Sequence, residues 1–354
     1  MKEKKKSRLP IILTVVFCVL YVLLAVRPLN TELKLTQEWS EDIQRTPQTA
    51  SEDDILIPFK LGQTMGYFTQ DGKIVSSISF PFKGTISSNY YASYSSGNTA
   101  TIYYSAKTGE QHVLNVPGYP YFDGNRIFTF LPGGTSVTEY TEGGIQLWQY
   151  EGYSPITAFS ASENGRIIGF ADGSLVSFTK NGKQNQTLTP GGSQSQVILG
   201  AAISDDGNTI ACISGQNRQR IVVARKTGDL SKIIYHDYIG DYTSRQLLVK
   251  FSSRHPVVFY DTDQGLGSVN INSSKNYMIP IDGEVIQIEE SNESDFAYVL
   301  SKKDSTYTVT ILEEARYIAG SFSFEADSAF IQVRGDTLFV GKNNKISKVR
   351  VTRS

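Results

Sequence analysis

Six carboxylates stand in close pairs along this 354-residue chain: Asp205 with Asp206, Asp261 with Asp263, and Glu289 with Glu290. Two neighbouring carboxyl groups can divide general acid and general base work, as cleavage of a glycosidic bond requires. Two of the pairs lie in turn-forming sequence, Ser204-Asp205-Asp206-Gly207-Asn208 and Asp261-Thr262-Asp263-Gln264-Gly265. There short polar side chains bond their own backbone, so both are read as turns. The second starts like a calcium loop, but Gly265 comes too early and no glutamate stands at the twelfth position. His112, His236 and His255 are too far apart in sequence for a local zinc motif, and no metal site is expected. His236, within Tyr235-His236-Asp237-Tyr238, is retained as a candidate binding residue on a ligand-facing loop. No G-x-S-x-G, Cys/His pairing, phosphate loop or dinucleotide fingerprint occurs, so no catalytic residue and no cofactor is assigned.

Tyrosines gather at Tyr90, Tyr91, Tyr94, Tyr103, Tyr104, Tyr119 and Tyr121. Exposed tyrosine gives rigid, amphipathic contact area and suits interfaces. Tyr90, Tyr91, Tyr94, Tyr119 and Tyr121 are therefore candidate binding residues in a patch over 89–121. The alternative is that tyrosine, a good strand residue, simply coats a sheet.

Short strands and tight turns must position these groups. Asp123-Gly124-Asn125, Asn164-Gly165-Arg166 and Asp206-Gly207-Asn208 recur at steps of 41 and 42 residues, each followed at once by an apolar run. A period of about 40 residues built from strands and turns predicts β-propeller blades. Hairpin signals such as Asp71-Gly72 and Asn181-Gly182 between apolar runs agree, as does an aromatic content of 11%. Blade-sized pieces fall near 85–116, 121–150, 156–188, 198–230, 246–280 and 284–313. A seventh blade, stitched from 56–78 and 317–351, would close the ring and remove its exposed sheet edge. The expected fold is an all-β propeller of about seven blades over 55–354.

Ser204-Asp205-Asp206-Gly207-Asn208-Thr209-Ile210-Ala211 resembles the S-x-D-G-x-x-I-A turn of WD-repeat-like and YVTN-like propellers, and Ser162 to Gly169 is a weaker copy. The resemblance covers most of 55–351 as a pattern and implies a propeller with a usual role in binding. No blade ends in Trp-Asp. The sialidase box is matched only with one residue missing and without its tryptophan. Quinone-dependent propeller enzymes are rich in docking indoles, whereas this chain has only Trp39 and Trp148. By fold analogy the arrangement is similar to the propeller lipoprotein of outer-membrane protein assembly.

Residues 1–8 carry five cations and one anion, and residues 9–26 are an apolar run of 18. That length approaches what a bilayer core needs, and the basic flank places the N-terminus in the cytoplasm. Ala25-Val26-Arg27-Pro28 is a poor cleavage site, so 9–26 is read as an uncleaved single-pass anchor in the cytoplasmic (inner) membrane, with the rest extracytoplasmic. Residues 27–54 read as a polar stalk, with Leu35, Trp39 and Ile43 spaced for a short amphipathic helix. Beyond the leader, 29 cations face 34 anions, which is no nucleic-acid footprint. Cys212 alone lies past the anchor, so core burial must replace disulfides. The leading expectation is a non-enzymatic envelope protein that binds another envelope protein. The alternative is a glycan or small-ligand binding protein or hydrolase that uses the central channel.

Overall fold

The computed structural model describes residues 14–21, 33–51, 53–242, 245–291 and 293–353. Among them, 31 strands form eight sheets. The N-terminal strand β1 (Leu33–Asp42) belongs to the last sheet. Blade 1 holds β2 (Ile57–Leu61), β3 (Thr64–Phe68) and β4 (Ile74–Ser79). Blade 2 holds β5 (Lys83–Ile86), β6 (Tyr90–Tyr94), β7 (Thr101–Ser105) and β8 (Gln111–Leu114). Blade 3 holds β9 (Tyr119–Asp123), β10 (Arg126–Phe130), β11 (Ser136–Tyr140) and β12 (Gln146–Glu151). Blade 4 holds β13 (Ile156–Ala161), β14 (Gly165–Phe170), β15 (Leu175–Thr179) and β16 (Gln184–Leu188). Blade 5 holds β17 (Ile198–Ile203), β18 (Thr209–Ser214), β19 (Asn217–Thr227) and β20 (Leu230–Tyr242). Blade 6 holds β21 (Val249–Phe251), β22 (Val257–Thr262), β23 (Gly265–Asn270) and β24 (Asn276–Ile279). Blade 7 holds β25 (Glu284–Glu290), β26 (Phe296–Lys303), β27 (Thr306–Glu313) and β28 (Tyr317–Glu325). Blade 8 holds β29 (Ala329–Arg334), β30 (Thr337–Lys342) and β31 (Lys345–Arg353), with β1 as its outer strand. Every strand pairs antiparallel with its neighbour in the sheet.

Each sheet is tied to the next, and the ties close a ring. Tyr67 Oη donates to the Ser87 carbonyl (2.9 Å), and Ser87 Oγ to that of Gly124 (2.8 Å). Arg166 pairs with Glu139, and Ser162 Oγ donates to the Ser204 carbonyl (2.9 Å). The Leu247 N–H reaches the Leu199 carbonyl, Ser268 Oγ reaches Ala315, and Gln287 binds Ile331. Phe59 stacks on Phe330 to join blade 1 to blade 8. The three glycine turns at Gly124, Gly165 and Gly207 all join a first strand to a second strand, so one step of 41 or 42 residues is one blade. Apolar clusters fill the spaces between blades. One joins Ile57, Phe59 and Phe68 of blade 1 to Phe330, Phe339 and Ile346 of blade 8.

The count of seven is corrected to eight. Tyr317–Glu325 is the outer strand of blade 7, and 57–79 is a blade of its own. The outer strand of the closing blade comes from the stretch read as a helical stalk. The four-residue spacing of Leu35, Trp39 and Ile43 is also compatible with an extended strand, in which the bulge after Gln37 turns Leu35 and Trp39 to opposite faces and Ile43 follows the last strand residue. β1 pairs with β31 along nine positions, with a bulge between Gln37 and Trp39. Glu38 bridges Lys348 (2.8 Å) and Arg350 (2.5 Å), and Asn344 Nδ2 donates to Asp42 Oδ2 (2.9 Å). The propeller therefore begins at residue 33 rather than 55, and residues 27–32 lie outside the described residues. Of the predicted anchor, 14–21 is helical and the remainder lies outside the described residues. No described helix is long and apolar enough to cross a membrane.

Blade 1 has three strands, and β2 takes the inner place, lying against β29 and β5 and lining the channel with them, although it runs in the opposite direction. Only residues 80–82 separate the end of β4 from the start of β5, so β4 ends on the face where first strands begin. The Phe80 N–H donates to the Gln63 carbonyl (3.0 Å), which puts the β2–β3 turn on that same face. A side chain at Gly62 would meet Ser328, just ahead of the first strand of blade 8. Thus β2 runs opposite to β5 and β29, as the second strand of a blade does. The residues between β1 and β2 could have supplied a fourth strand, but their sequence, Gln44-Arg45-Thr46-Pro47-Gln48-Thr49-Ala50-Ser51 and onward, lacks apolar alternation. The Gln48 N–H instead donates to the carbonyl of Ile74 at the start of outer strand β4 (2.8 Å).

Candidate functional site

The innermost strands of a propeller present one unpaired edge to the central channel, and that backbone needs partners. Long polar side chains supply them here. Lys60 Nζ donates to the Gly84 carbonyl (2.6 Å), and Lys250 Nζ donates to that of Ile288. Gln287 brackets Ile331, donating to its carbonyl (2.7 Å) and accepting from its N–H (3.1 Å). Gln246 Nε2 donates to the Thr157 carbonyl (2.8 Å), from the link ahead of β21 to the first strand of blade 4.

A cavity of about 470 Å³ opens where blades 7, 8, 1 and 2 meet, lined from β25, β29, β2 and β5. Its wall includes Pro58, Lys60, Thr85, Gln287 and Gln332. Lys60 is the single charged residue of that wall; Glu289 stands behind it, accepting from Gln287 Nε2 (2.9 Å). Solvent reaches the Lys60 side chain, yet enough wall surrounds it that desolvation lowers its pKa. The Phe80 ring lies 5.3 Å from its ammonium.

The carboxylate pairs go elsewhere. Asp206 is bonded by Ser204 Oγ (2.5 Å) and the Asn208 N–H (3.0 Å), as a turn residue. Burial raises the Asp206 pKa, and these hydrogen bonds outweigh it, so the net shift is downward. Asp261 lies in β22, fully buried, with Arg245 Nη2 2.6 Å from Oδ2. Glu290 accepts from Ser252 Oγ (2.5 Å) and the Ser253 N–H (2.9 Å). None of these carboxylates lines the channel cavity. Among the described residues, no three His, Cys, Asp or Glu side chains gather as metal ligands do. Cys212 is buried, and desolvation pushes its thiol up to about 12.

The tyrosines divide between core and surface. Tyr90 is 3% exposed, edge-on to Tyr103 and against Phe122, and belongs to the core between blades 2 and 3. Burial, then Glu142, raises its hydroxyl to about 12. Tyr91 is half-buried, stacked on Tyr104 at 5.2 Å. Tyr94 meets Tyr119 at 6.1 Å, with Lys83 over the Tyr119 ring. Tyr121 is exposed, with Phe159 edge-on at 5.7 Å. His236 is exposed on β20, the outer strand of blade 5, so the fold does not bring it to the tyrosines of blades 2 and 3.

The outer strands of blades 2 and 3 carry a feature that the sequence reading missed. Ile102 and Val113 form a cross-strand pair on β7 and β8, and Ile145 and Leu147 lie at the adjoining edge of blade 3. The four are 38–69% exposed. Their signal was apolar residues on the polar half of each alternation, as in Ile145-Gln146-Leu147. A buried ionic cluster was missed as well. Glu139 and Arg166, each 3% exposed, pair across blades 3 and 4 at 2.7 Å, and Trp148 Nε1 donates to Glu139 Oε2 (2.6 Å).

Solved structures share this architecture at low identity. BamB from Moraxella catarrhalis superposes with a TM-score of 0.58 at 13% identity, covering 90% of this chain and 100% of that one. A chain of the mitotic checkpoint complex gives a TM-score of 0.55 at 14% identity, covering 92% and 98%. Sqt1 of Saccharomyces cerevisiae gives 0.53 at 14%, covering 72% and 77%. At such identities the likeness shows the fold alone. In sequence, the chain is 27% identical over 361 residues to an uncharacterized protein of Treponema pallidum (strain Nichols), covering 99% of this chain and 96% of the relative. The family model described as beta-propeller protein matches residues 1–353, in agreement with the eight closed sheets, and the chain belongs to that family.

Proposed function

We propose that this propeller is a docking scaffold for another protein of the cell envelope, held to the cytoplasmic membrane by residues 9–26. Two exposed apolar pairs carry this reading, Ile102 with Val113 on blade 2 and Ile145 with Leu147 at the edge of blade 3. Exposed apolar surface near the rim of two neighbouring blades marks interaction sites. Tyr91, Tyr94, Tyr119 and Tyr121 belong to the same two blades but lie on their inner strands β6 and β9, apart from this rim. The 18 apolar residues behind a basic leader support the anchor. One of the similar structures is a chain of the mitotic checkpoint complex, which agrees with a binding role. A hydrolase in the channel finds less support, because no carboxylate pair lines the cavity.

The test is a crosslinking pull-down of tagged full-length protein from detergent-solubilised membranes, beside the variant Ile145→Ser with Leu147→Ser. The reading expects one partner in near-equal amount, lost in the variant. A partner retained equally, or none above background, would overturn it. Protease accessibility of the C-terminal domain in intact cells and in inverted vesicles checks the orientation.

A further inference from the structure

We propose that the lower rim of blades 5–8 lies against the bilayer that holds the anchor and binds its anionic lipid headgroups. This placement rests on reading residues 9–26 as a membrane anchor, and it fixes which side of the propeller meets that membrane. In every four-stranded blade the outer strand starts on the face opposite the one where first strands begin, the lower face. In blade 8 the outer strand is β1, and its Leu33 pairs with Arg353 at the end of β31. Only residues 27–32 separate β1 from the apolar run. That stretch reaches about 20 Å when fully extended. The ten residues of β1 rise about 33 Å, so the chain is too short to bring the upper face to the bilayer. The lower end of blade 8 must lie beside it.

Four successive blades carry the same two residue types where the outer strand starts, a cation and an exposed apolar side chain. Blade 5 has Lys232 with Leu230 and Ile233, and blade 6 has Lys275 with Met278. Blade 7 has Arg316 with Ile318, and blade 8 has Lys34 with Leu35. The five apolar side chains are 38–75% exposed. Neighbouring ends touch in series. Ser274 Oγ donates to the Ile234 carbonyl (3.2 Å), Arg316 Nη1 donates to Tyr277 Oη (3.3 Å), and Arg353 pairs with Glu313. Lys34, Lys232 and Lys275 are exposed and make no ion pair among the described residues. The carboxylates at these strand starts are Asp229, Glu313 and Glu314, and the last two are held by Arg353 and Arg316. Apolar side chains set among lysine and arginine suit the boundary between headgroups and acyl chains, and each cation near an anionic surface adds to the attraction. Blades 2 and 3 differ at the same place. There Lys107 is balanced by Glu110, and Glu142 is the one charge in the turn before β12. That part of the rim stays free for a protein partner.

The test places the full chain in vesicles of phosphatidylcholine, with or without an equal part of phosphatidylglycerol, whose headgroups in part carry a nitroxide. Bimane is attached in turn at Leu230→Cys, Ile318→Cys, Ile145→Cys and Tyr153→Cys, in a Cys18→Ser background that leaves only the buried Cys212. Tyr153 is fully exposed on the link to β13, on the upper face. With phosphatidylglycerol present, the nitroxide should quench the labels at 230 and 318 and leave those at 145 and 153 bright. Lys34→Gln, Lys232→Gln and Lys275→Gln together should shift the equilibrium away from contact by about fivefold for each lysine removed, while thermal unfolding stays that of the parent. Equal quenching in the neutral vesicles, or at all four positions, would overturn the proposal. Resistance to alkaline extraction reads the anchor separately. Protein that stays in the vesicles without quenching at 230 and 318 would overturn the rim contact alone, and protein that is extracted would overturn the anchor reading and the rim contact with it.

Discussion

Trp148 and Trp39 hold equivalent places in two blades and are treated differently by their surroundings. Each stands on an outer strand, three residues below the top of the facing third strand: Trp148 opposite Glu139, Trp39 opposite Lys348. Each leans on a glycine in the last hairpin turn of the next blade, Gly182 or Gly72. The two turns read almost alike, Phe178-Thr179-Lys180-Asn181-Gly182-Lys183 and Phe68-Thr69-Gln70-Asp71-Gly72-Lys73. Beyond that the sites part. The Trp148 N–H donates to Glu139, which holds Arg166 through two further bonds, at 3.0 and 2.7 Å. The position of Glu139 is taken by Lys348 in the closing blade, which turns to Glu38, and Trp39 Nε1 is buried without an acceptor. One docking position thus serves as a polar lock between blades 3 and 4 and as an aromatic contact between blades 8 and 1, where Phe68 and Phe339 surround the indole.

The largest effect is expected where charge is buried. Glu139→Gln leaves the Arg166 guanidinium, which is 4% exposed, without its counter-charge. Its other partners are the Ser162 and Gly165 carbonyls. Removing one member of such a pair costs about 3–5 kcal/mol, to be read from urea unfolding. A loss below about 1 kcal/mol would mean that the polar lock adds nothing beyond packing. Glu139→Leu with Arg166→Met, which removes both charges, should recover most of that loss.

The glycines sharpen the same contrast at smaller size. Both have positive φ, +77° at Gly182 and +93° at Gly72, where a Cβ costs about 1–2 kcal/mol. A Cβ on Gly182 would lie 2.3 Å from Trp148 Cγ, against 3.1 Å from Trp39 Cε2 for Gly72. Gly182→Ala should therefore cost about 2–4 kcal/mol, strain and overpacking together, and Gly72→Ala only about the strain. Equal losses in thermal melts would show that the two indoles yield equally.

Asp261 is the counter-example to Glu139 as a buried carboxylate. Its nearest cation, Arg245, is 34% exposed rather than 4%. Burial is the largest influence and raises the Asp261 pKa against the pull of Arg245. A carboxyl whose folded pKa is raised costs stability above that pKa, and the cost disappears as pH falls through it to the unfolded value. Asp261→Asn is thus expected to gain stability relative to the parent at pH 8 and to lose that advantage on acidification. A difference that does not vary with pH would assign its effect to packing instead.

How much of this was legible follows from the kind of signal. The turns at Gly124, Gly165 and Gly207 are local, since each needs only a tight turn before an apolar run, and they set the blade period correctly. The closing strand is a pairing between residue 33 and residue 353, a separation no local pattern records. The spacing of Leu35, Trp39 and Ile43 is compatible with a helix and with a strand, and only the partner strand chooses between them. The error in blade number has the same origin, because a three-stranded blade looks like half of a stitched one. Tyr90 and Tyr121 are both strand tyrosines, and which one turns inward depends on the neighbouring blade, which supplies Phe122 to one and Phe159 to the other. The Glu139–Arg166 pair left a trace in Ser136-Val137-Thr138-Glu139-Tyr140, a strand buried at every position, but its partner lies 27 residues on in another blade.

The smallest effect tests the orphaned indole. Trp39→Phe deletes an N–H that already lacks an acceptor, so the lost packing is offset by the removal of a buried, unsatisfied donor. The change should stay within about 1 kcal/mol. Trp148→Phe deletes a donor to a charged acceptor and should cost about 1.5–3 kcal/mol. The phenyl ring keeps the aromatic contacts in both sites, with Phe68 and Phe339 in one and Phe178 in the other. The difference between the two losses therefore isolates the hydrogen bond to Glu139. Repeating Trp148→Phe in the Glu139→Leu, Arg166→Met background should reduce its cost to the Trp39→Phe value. If the cost stays unchanged there, the indole at 148 acts through shape alone, and the contrast between the two docking sites is one of packing rather than of polarity.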